Sequence, residues 1–186
     1  MRFAFYTNSF SPHQLPLAKA LMDILGKDDY RYISAHPVSD ERKQIGWGND
    51  VDAEWYVKEW EDRDTARKIL ETADVVMSGI RDIPLMAYRC KCGLRTIYCS
   101  ERWFKPCIGM LRMLRPSYFM MAWRFAKLLR NSNAICYFPI GIHAARDMAR
   151  LSGLFNGDVR CIFKVPELEF DRKPGGGIWL EGGGNS

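Results

Sequence analysis

Asp74-Val75-Val76-Met77-Ser78-Gly79 decides the fold. The run is apolar without alternation and closes on a polar turn. A strand with one face in water alternates, whereas a strand buried on both faces, as in the middle of a parallel sheet, does not. Its flanks agree. Residues 64–73 predict a helix capped by Asp62 or Asp64, whose carboxylates accept from the first free N–H groups. Residues 84–92 predict another helix, entered through an Asp82 cap and stopped by Gly93. Residues 95–99 predict a second buried strand.

The same alternation extends both ways. Residues 2–7 form an apolar first strand, and residues 8–14 a polar turn. A helix covers 15–25 with Leu17, Ala20, Leu21, Ile24 and Leu25 on one face, Pro16 in its first turn and Gly26 at its end. Residues 29–35 read as a strand, 39–50 as a loop and 55–57 as a short strand. Downstream, 105–130 is helical with a break near Pro116, 134–138 is a strand, 142–151 is a helix stopped by Gly153, and 159–163 is the last strand. Strands alternating with helices make βαβ units. The expected class is α/β: a Rossmann-like three-layer domain with a mostly parallel twisted sheet over residues 1–170. Residues 171–186 carry two Gly triplets around Ile178-Trp179-Leu180 and read as a Gly-rich linker or truncated boundary.

A chain of 186 residues buries a real core without disulfides or a structural metal. No apolar run approaches the roughly 20 residues of a membrane-spanning helix. The opening strand is too short and too aromatic for a signal peptide. The expected location is therefore cytoplasmic. The six cysteines show no paired ladder, and Cys90, Cys92 and Cys99 lack zinc-site spacing, so no metal is expected. The net charge of +5 is local: residues 89–130 hold ten basic residues and one acid, Glu101. Such a segment attracts anionic partners.

In parallel α/β sheets ligands bind beyond the carboxyl ends of the strands. Four polar turns fall there: Asn8-Ser9-Phe10-Ser11-Pro12-His13-Gln14, Gly79-Ile80-Arg81-Asp82, Ser100-Glu101-Arg102-Trp103 and Pro139-Ile140-Gly141-Ile142-His143. His13 is a candidate base or hydroxyl-binding group, or a first-turn residue beside a Ser11–Gln14 capping box. His143 either meets ligand or caps its helix. His36, before Pro37, reads as structural or solvated. Arg81 and Arg102 present forks suited to phosphate, with ion pairs to Asp82 and Glu101 as the plain alternative. For Glu101 an ion pair is the first expectation. No G-x-G-x-x-G follows the first strand, which sets aside a dinucleotide oxidoreductase, and there is neither a P-loop nor a G-x-S-x-G elbow.

Residues 105–130 are basic, aromatic and Met-rich, with Arg112, Arg115, Arg124, Lys127 and Arg130 at helical spacing. Such a segment lies on an anionic membrane surface, or it is a core helix with one solvated basic face. Nucleic acid ranks well behind, because no recognition motif accompanies the charge.

Over about residues 1–170, the first turn with Leu15-Pro16-Leu17, the turn Ser100-Glu101-Arg102 and the turn Pro139–His143 resemble the N-terminal domain of bacterial GT-B glycosyltransferases of the family 4-like group. The resemblance implies two facing Rossmann-like domains, with the acceptor bound by the N-terminal one. The nucleotide-sugar donor, a co-substrate rather than a cofactor, is bound mainly by a C-terminal one. Peripheral attachment to the inner face of the membrane is implied where acceptors are lipid-linked. Asn8-Ser9-Phe10 stands where many members have a Gly-Gly turn. The function implied is acceptor binding within an enzyme that moves a sugar to a glycan or lipid-linked hydroxyl, the chain being inactive alone. His13 and His143 would orient or deprotonate that hydroxyl. Arg81 and Arg102 would hold phosphate, and Asn8, Ser11 and Gln14 sugar hydroxyls, with Glu101 and Gly141 in the same turns. Two alternatives stand beside it: a non-enzymatic module for a saccharide or lipid head group, and a nucleotide-sugar epimerase domain.

Overall fold

A computed structural model describes residues 1–44, 47, 53–101, 103–104, 109–130, 134–140 and 142–154, with backbone alone at 13, 130, 142 and 152–154. Six strands are present: β1 (Phe3–Thr7), β2 (Tyr30–Ser34), β3 (Tyr56–Lys58), β4 (Val75–Ser78), β5 (Arg95–Ser100) and β6 (Ile135–Pro139). The helices are α1 (Leu15–Leu25), α2 (Asp40–Gln44), α3 (Arg63–Thr72), α4 (Ile83–Lys91), α5 (Pro116–Arg130) and α6 (Ile142–Leu154). Short 3₁₀ turns at Pro12–Gln14 and Gly109–Leu114 precede α1 and α5. The strand expected at 159–163 and the tail at 171–186 lie outside the described residues.

The strands form one sheet in the order β3-β2-β1-β4-β5-β6, and every pairing is parallel. Phe3 of β1 stands opposite Tyr30 on one side and Val75 on the other. The α/β expectation is met, and every pairing among the described strands is parallel.

Period-2 alternation sends successive side chains to opposite faces. Phe3, Phe5, Tyr30 and Tyr32 pack with Phe10 and Ala18 under α1. Ala4, Tyr6, Ile33 and Val76 pack with Ala66 and Leu70 of α3 and Leu85 of α4. Beyond them Tyr98, Ile135 and Tyr137 meet Phe125 and Leu129 of α5 and Met148 and Leu151 of α6. Two helix starts follow the predicted chemistry: Asp62 accepts from the Thr65 N–H at 3.0 Å, and Asp82 from the Leu85 N–H at 2.9 Å. Accepting those bonds holds the Asp62 carboxyl below its ordinary pKa.

Four local expectations are corrected. The buried face of α1 is Leu15, Ala18, Leu21, Met22 and Leu25, while Leu17, Ala20 and Ile24 face out, Ile24 being 79% exposed. With eight of the eleven residues in α1 drawn from Leu, Ile, Met and Ala, composition permits either face. Second, the expected loop at 39–50 contains α2, started by the Ser39 carbonyl accepting from the Arg42 and Lys43 N–H groups at 3.0 Å. Asp40 and Glu41 open that helix and Arg42 and Lys43 close it, which suits its dipole. Third, residues 109–114 are a 3₁₀ turn rather than α-helix, and Pro116 starts α5 at the one position where its missing N–H is harmless. Fourth, Gly153 does not stop α6, which runs to Leu154. A helical Gly costs only about 1 kcal/mol.

Candidate functional site

The strand order reverses between β1 and β4. Loops from these two strands leave in opposite directions at the carboxyl edge, the general ligand position of such sheets. On the β1 side the rim is Asn8, exposed, and Ser9 and Ser11, half-buried. The Asn8 carbonyl accepts from the His36 N–H at 2.7 Å, which ties the β1 and β2 exits together. Arg42 of α2 donates to Ser9 Oγ at 3.1 Å. Tyr32 donates to Gln14 Oε1, so the Gln14 carboxamide oxygen is engaged in the core. Ser11 makes no side-chain cap bond, and the capping box expected from Ser11 and Gln14 is not formed. Phe10 of the same turn is buried against Tyr32 and Tyr56.

On the β4 side, Ser78 Oγ bonds both the carbonyl and the N–H of Ile80, which fixes the turn that presents Arg81. Arg81 does not pair with Asp82. Its Nε donates to the Tyr98 hydroxyl at 3.0 Å and its Nη1 to Met121 Sδ at 3.2 Å, with the guanidinium 3.8 Å above the Trp103 ring. The Asp82 carboxylate turns away, to the Leu85 N–H and, at 3.5 Å, to Arg67. Among the described residues, therefore, Arg81 has only neutral partners.

The remaining candidates spread along the edge. Glu101 is exposed after β5, and its expected ion-pair partner, Arg102, lies outside the described residues. Arg102 and Gly141 lie outside the described residues, as does the His13 side chain. His143 is exposed in the first turn of α6. The turn holding His13 follows β1, and His143 follows β6, with β4 and β5 between. Three strand spacings are about 14 Å. The two histidines therefore follow strands that are not neighbours in the sheet.

Sequence reasoning missed two groups. Tyr6 donates to Glu59 Oε2 at 2.8 Å, joining β1 to the β3 exit. Burial first, and then that bond, push the tyrosine pKa up. Arg124, read only as a surface cation, shares a groove with Arg81. No local signal announces either, since each depends on the strand order and on how α5 sits.

The basic segment divides into two faces. Met113, Tyr118, Met121, Ala122, Phe125, Leu128 and Leu129 turn into the core. Of twelve large apolar side chains exposed among the described residues, six lie between Met110 and Trp123, including Leu111 at 67% and Leu114 at 78%. Arg115, Arg124 and Lys127 are exposed among them. The segment thus packs one face in the core, and its outer face is apolar and cationic together. No helix among the described residues is long and apolar enough to cross a membrane. No group of three described His, Cys, Asp or Glu side chains stands close enough to hold a metal. No protein-family model matches the chain, and no curated protein matches it.

Proposed function

We propose that this domain binds the acceptor in a glycosyltransferase that moves a sugar from a nucleotide donor to a hydroxyl of a glycan or lipid-linked saccharide at an anionic membrane surface. The observation that carries the reading is the apolar and cationic outer face of residues 110–127, beside the carboxyl edge of the sheet. Cations for anionic head groups and Leu, Met, Phe and Trp for the acyl boundary are what interfacial attachment uses. The first turn has no Gly-rich phosphate loop, which favours an acceptor there over the donor pyrophosphate.

In this reading His13, after β1, and His143, after β6, serve the acceptor, one deprotonating its hydroxyl and the other orienting it. Asn8, Ser11 and the free amide of Gln14 contact sugar hydroxyls, and Arg81 and Arg102 hold phosphate. A donor-binding partner domain supplies the nucleotide sugar. Catalysis is then positioning plus stabilisation of the leaving phosphate. A non-enzymatic lipid-head-group module uses the same outer face without transfer.

The two readings separate in a cell whose gene for this protein is deleted. Transferase function predicts a lipid-linked saccharide one sugar short, restored by the wild-type gene and not by a His13→Ala, His143→Ala double variant. An unchanged saccharide profile rejects the enzyme and leaves the module.

A further inference from the structure

Between α4 and α5 lies a groove of about 520 Å3, inside the roughly 300–1,000 Å3 range of small-molecule sites. It opens where Arg81 leaves β4. Ile83 and Ala87 of α4 and Met120 and Met121 of α5 supply apolar walls. The polar groups are Arg81, Arg124 and Ser117, and no carboxylate is among the described lining residues.

Two facts about the arginines give the groove a chemistry. Arg81 is half-buried and fixed in place by a phenol, a thioether and an indole face, none of which neutralises it. Its Nη2 donates to no described residue. A partly desolvated cation without a counter-ion is costly, and an anion bound beside it recovers that cost. Arg124 makes no described ion pair and brings a second guanidinium to the same groove. Two forks suit the oxygens of a phosphate. The apolar walls are wasted on a free phosphate, and the two cations are wasted on a neutral lipid. Methionine walls adapt to a flexible chain.

We propose that the α4–α5 groove binds an amphiphilic phosphate: a phosphate ester on an apolar chain, with Arg81 and Arg124 on the phosphate and Ile83, Ala87, Met120 and Met121 on the first carbons of the chain. This deepens the acceptor-side reading by assigning the place of a lipid-linked acceptor's phosphate, and it rests on that reading for what the chain carries. The outer face of residues 110–127 then meets the bilayer while the groove draws one lipid out of it.

The test is calorimetric titration of the protein with farnesyl phosphate below its micellar concentration, beside farnesol and inorganic phosphate. Farnesyl phosphate is expected to bind in the groove. Arg124→Gln, a surface change that spares the fold, weakens it about tenfold or more. Ala87→Trp, which fills the groove, abolishes it, with circular dichroism checking the fold. Farnesol binding as tightly, or inorganic phosphate binding as tightly, overturns the proposal. So does unchanged binding in Arg124→Gln, or in a folded Ala87→Trp. If the groove binds farnesyl phosphate with this variant pattern while the deletion strain has a normal saccharide profile, the site stands and the transferase reading falls. If that strain lacks a sugar and the groove binds nothing, the transferase reading stands and the site falls.

Discussion

One arginine precedes α4 and another lies in its last turn, and they sit at opposite edges of the sheet under opposite rules. Arg89, toward the amino edge, is fully buried. Its guanidinium donates to Thr96 Oγ1 at 3.0 Å, the Leu70 carbonyl at 2.6 Å and the Arg95 carbonyl at 2.7 Å. Burial pushes its pKa down to about 10, which leaves it charged at neutral pH. Arg81, at the carboxyl edge, is half-buried and held by Tyr98, Met121 and Trp103. Arg89 spends its donors on backbone carbonyls and so staples α3, α4 and β5 together. Arg81 keeps donors in hand beside a groove. Burial of a cation therefore says little about function until the partners are counted: Arg89 is satisfied by backbone carbonyls and a hydroxyl, while Arg81 meets only neutral side chains.

The contrast predicts different losses. The largest is at the amino edge. Arg89→Ala removes hydrogen bonds to the buried Leu70 carbonyl, the Arg95 carbonyl and Thr96 Oγ1 and leaves a void, and should cost about 3 kcal/mol in urea unfolding. Arg89→Lys should rescue little, because an ammonium cannot reproduce the fork. A loss under 1 kcal/mol would remove the staple. Next, Asp82→Ala deletes the α4 cap and should cost about 1 kcal/mol. Because that cap also orients the turn carrying Arg81, farnesyl phosphate binding should weaken with it; a drop in stability with unchanged binding would separate the cap from the groove.

Toward the carboxyl edge stability should hardly move. Leu114→Glu, at a side chain 78% exposed, should stay within about 0.5 kcal/mol of wild type, yet lower sedimentation with phosphatidylglycerol vesicles about tenfold. Vesicle binding equal to wild type would take the membrane away from this face. The smallest effect concerns protons. Burial pushes the Cys99 thiol up to about 12 and the Tyr30 phenol above its ordinary value. An acid with a raised folded pKa ionises first in the unfolded chain. Its stabilising contribution is whole below the unfolded pKa, about 8.5 for Cys, and is lost as pH climbs toward the folded value. The urea midpoint should fall between pH 9 and 11, less steeply in Cys99→Ala. In the native protein at pH 8, exposed Cys92 should alkylate and Cys99 should not.

Much of the fold was legible because it is written locally. The unbroken apolar run of β4 between helical segments announces a parallel sheet, and Asp62 and Asp82 announce two helix starts. The inward face of α1 was not legible, because Leu17, Ala20 and Ile24 are as apolar as the residues that are buried. Nor was α2, whose five residues are all polar or charged and whose helix rests on capping and dipole rather than a stripe. The site divides the same way. Polar turns at the carboxyl ends could be named in advance, Arg81 among them. What fixes Arg81 comes from Tyr98, Trp103 and Met121, at separations of 17 to 40 residues. Spacing along the chain carries no trace of such contacts. The same holds for Tyr6 with Glu59, 53 residues apart.

The claim that the carboxyl edge of this domain receives the acceptor rather than the donor has one direct test. The protein is titrated in one buffer with a polyprenyl-diphosphate-linked monosaccharide in anionic nanodiscs, using empty nanodiscs as the blank, and then with a panel of uridine, guanosine and thymidine diphosphate sugars. The account predicts saturable binding of the lipid-linked saccharide above the blank and no isotherm for any nucleotide sugar. Saturable binding of a nucleotide sugar, with none for the lipid-linked saccharide, would contradict it.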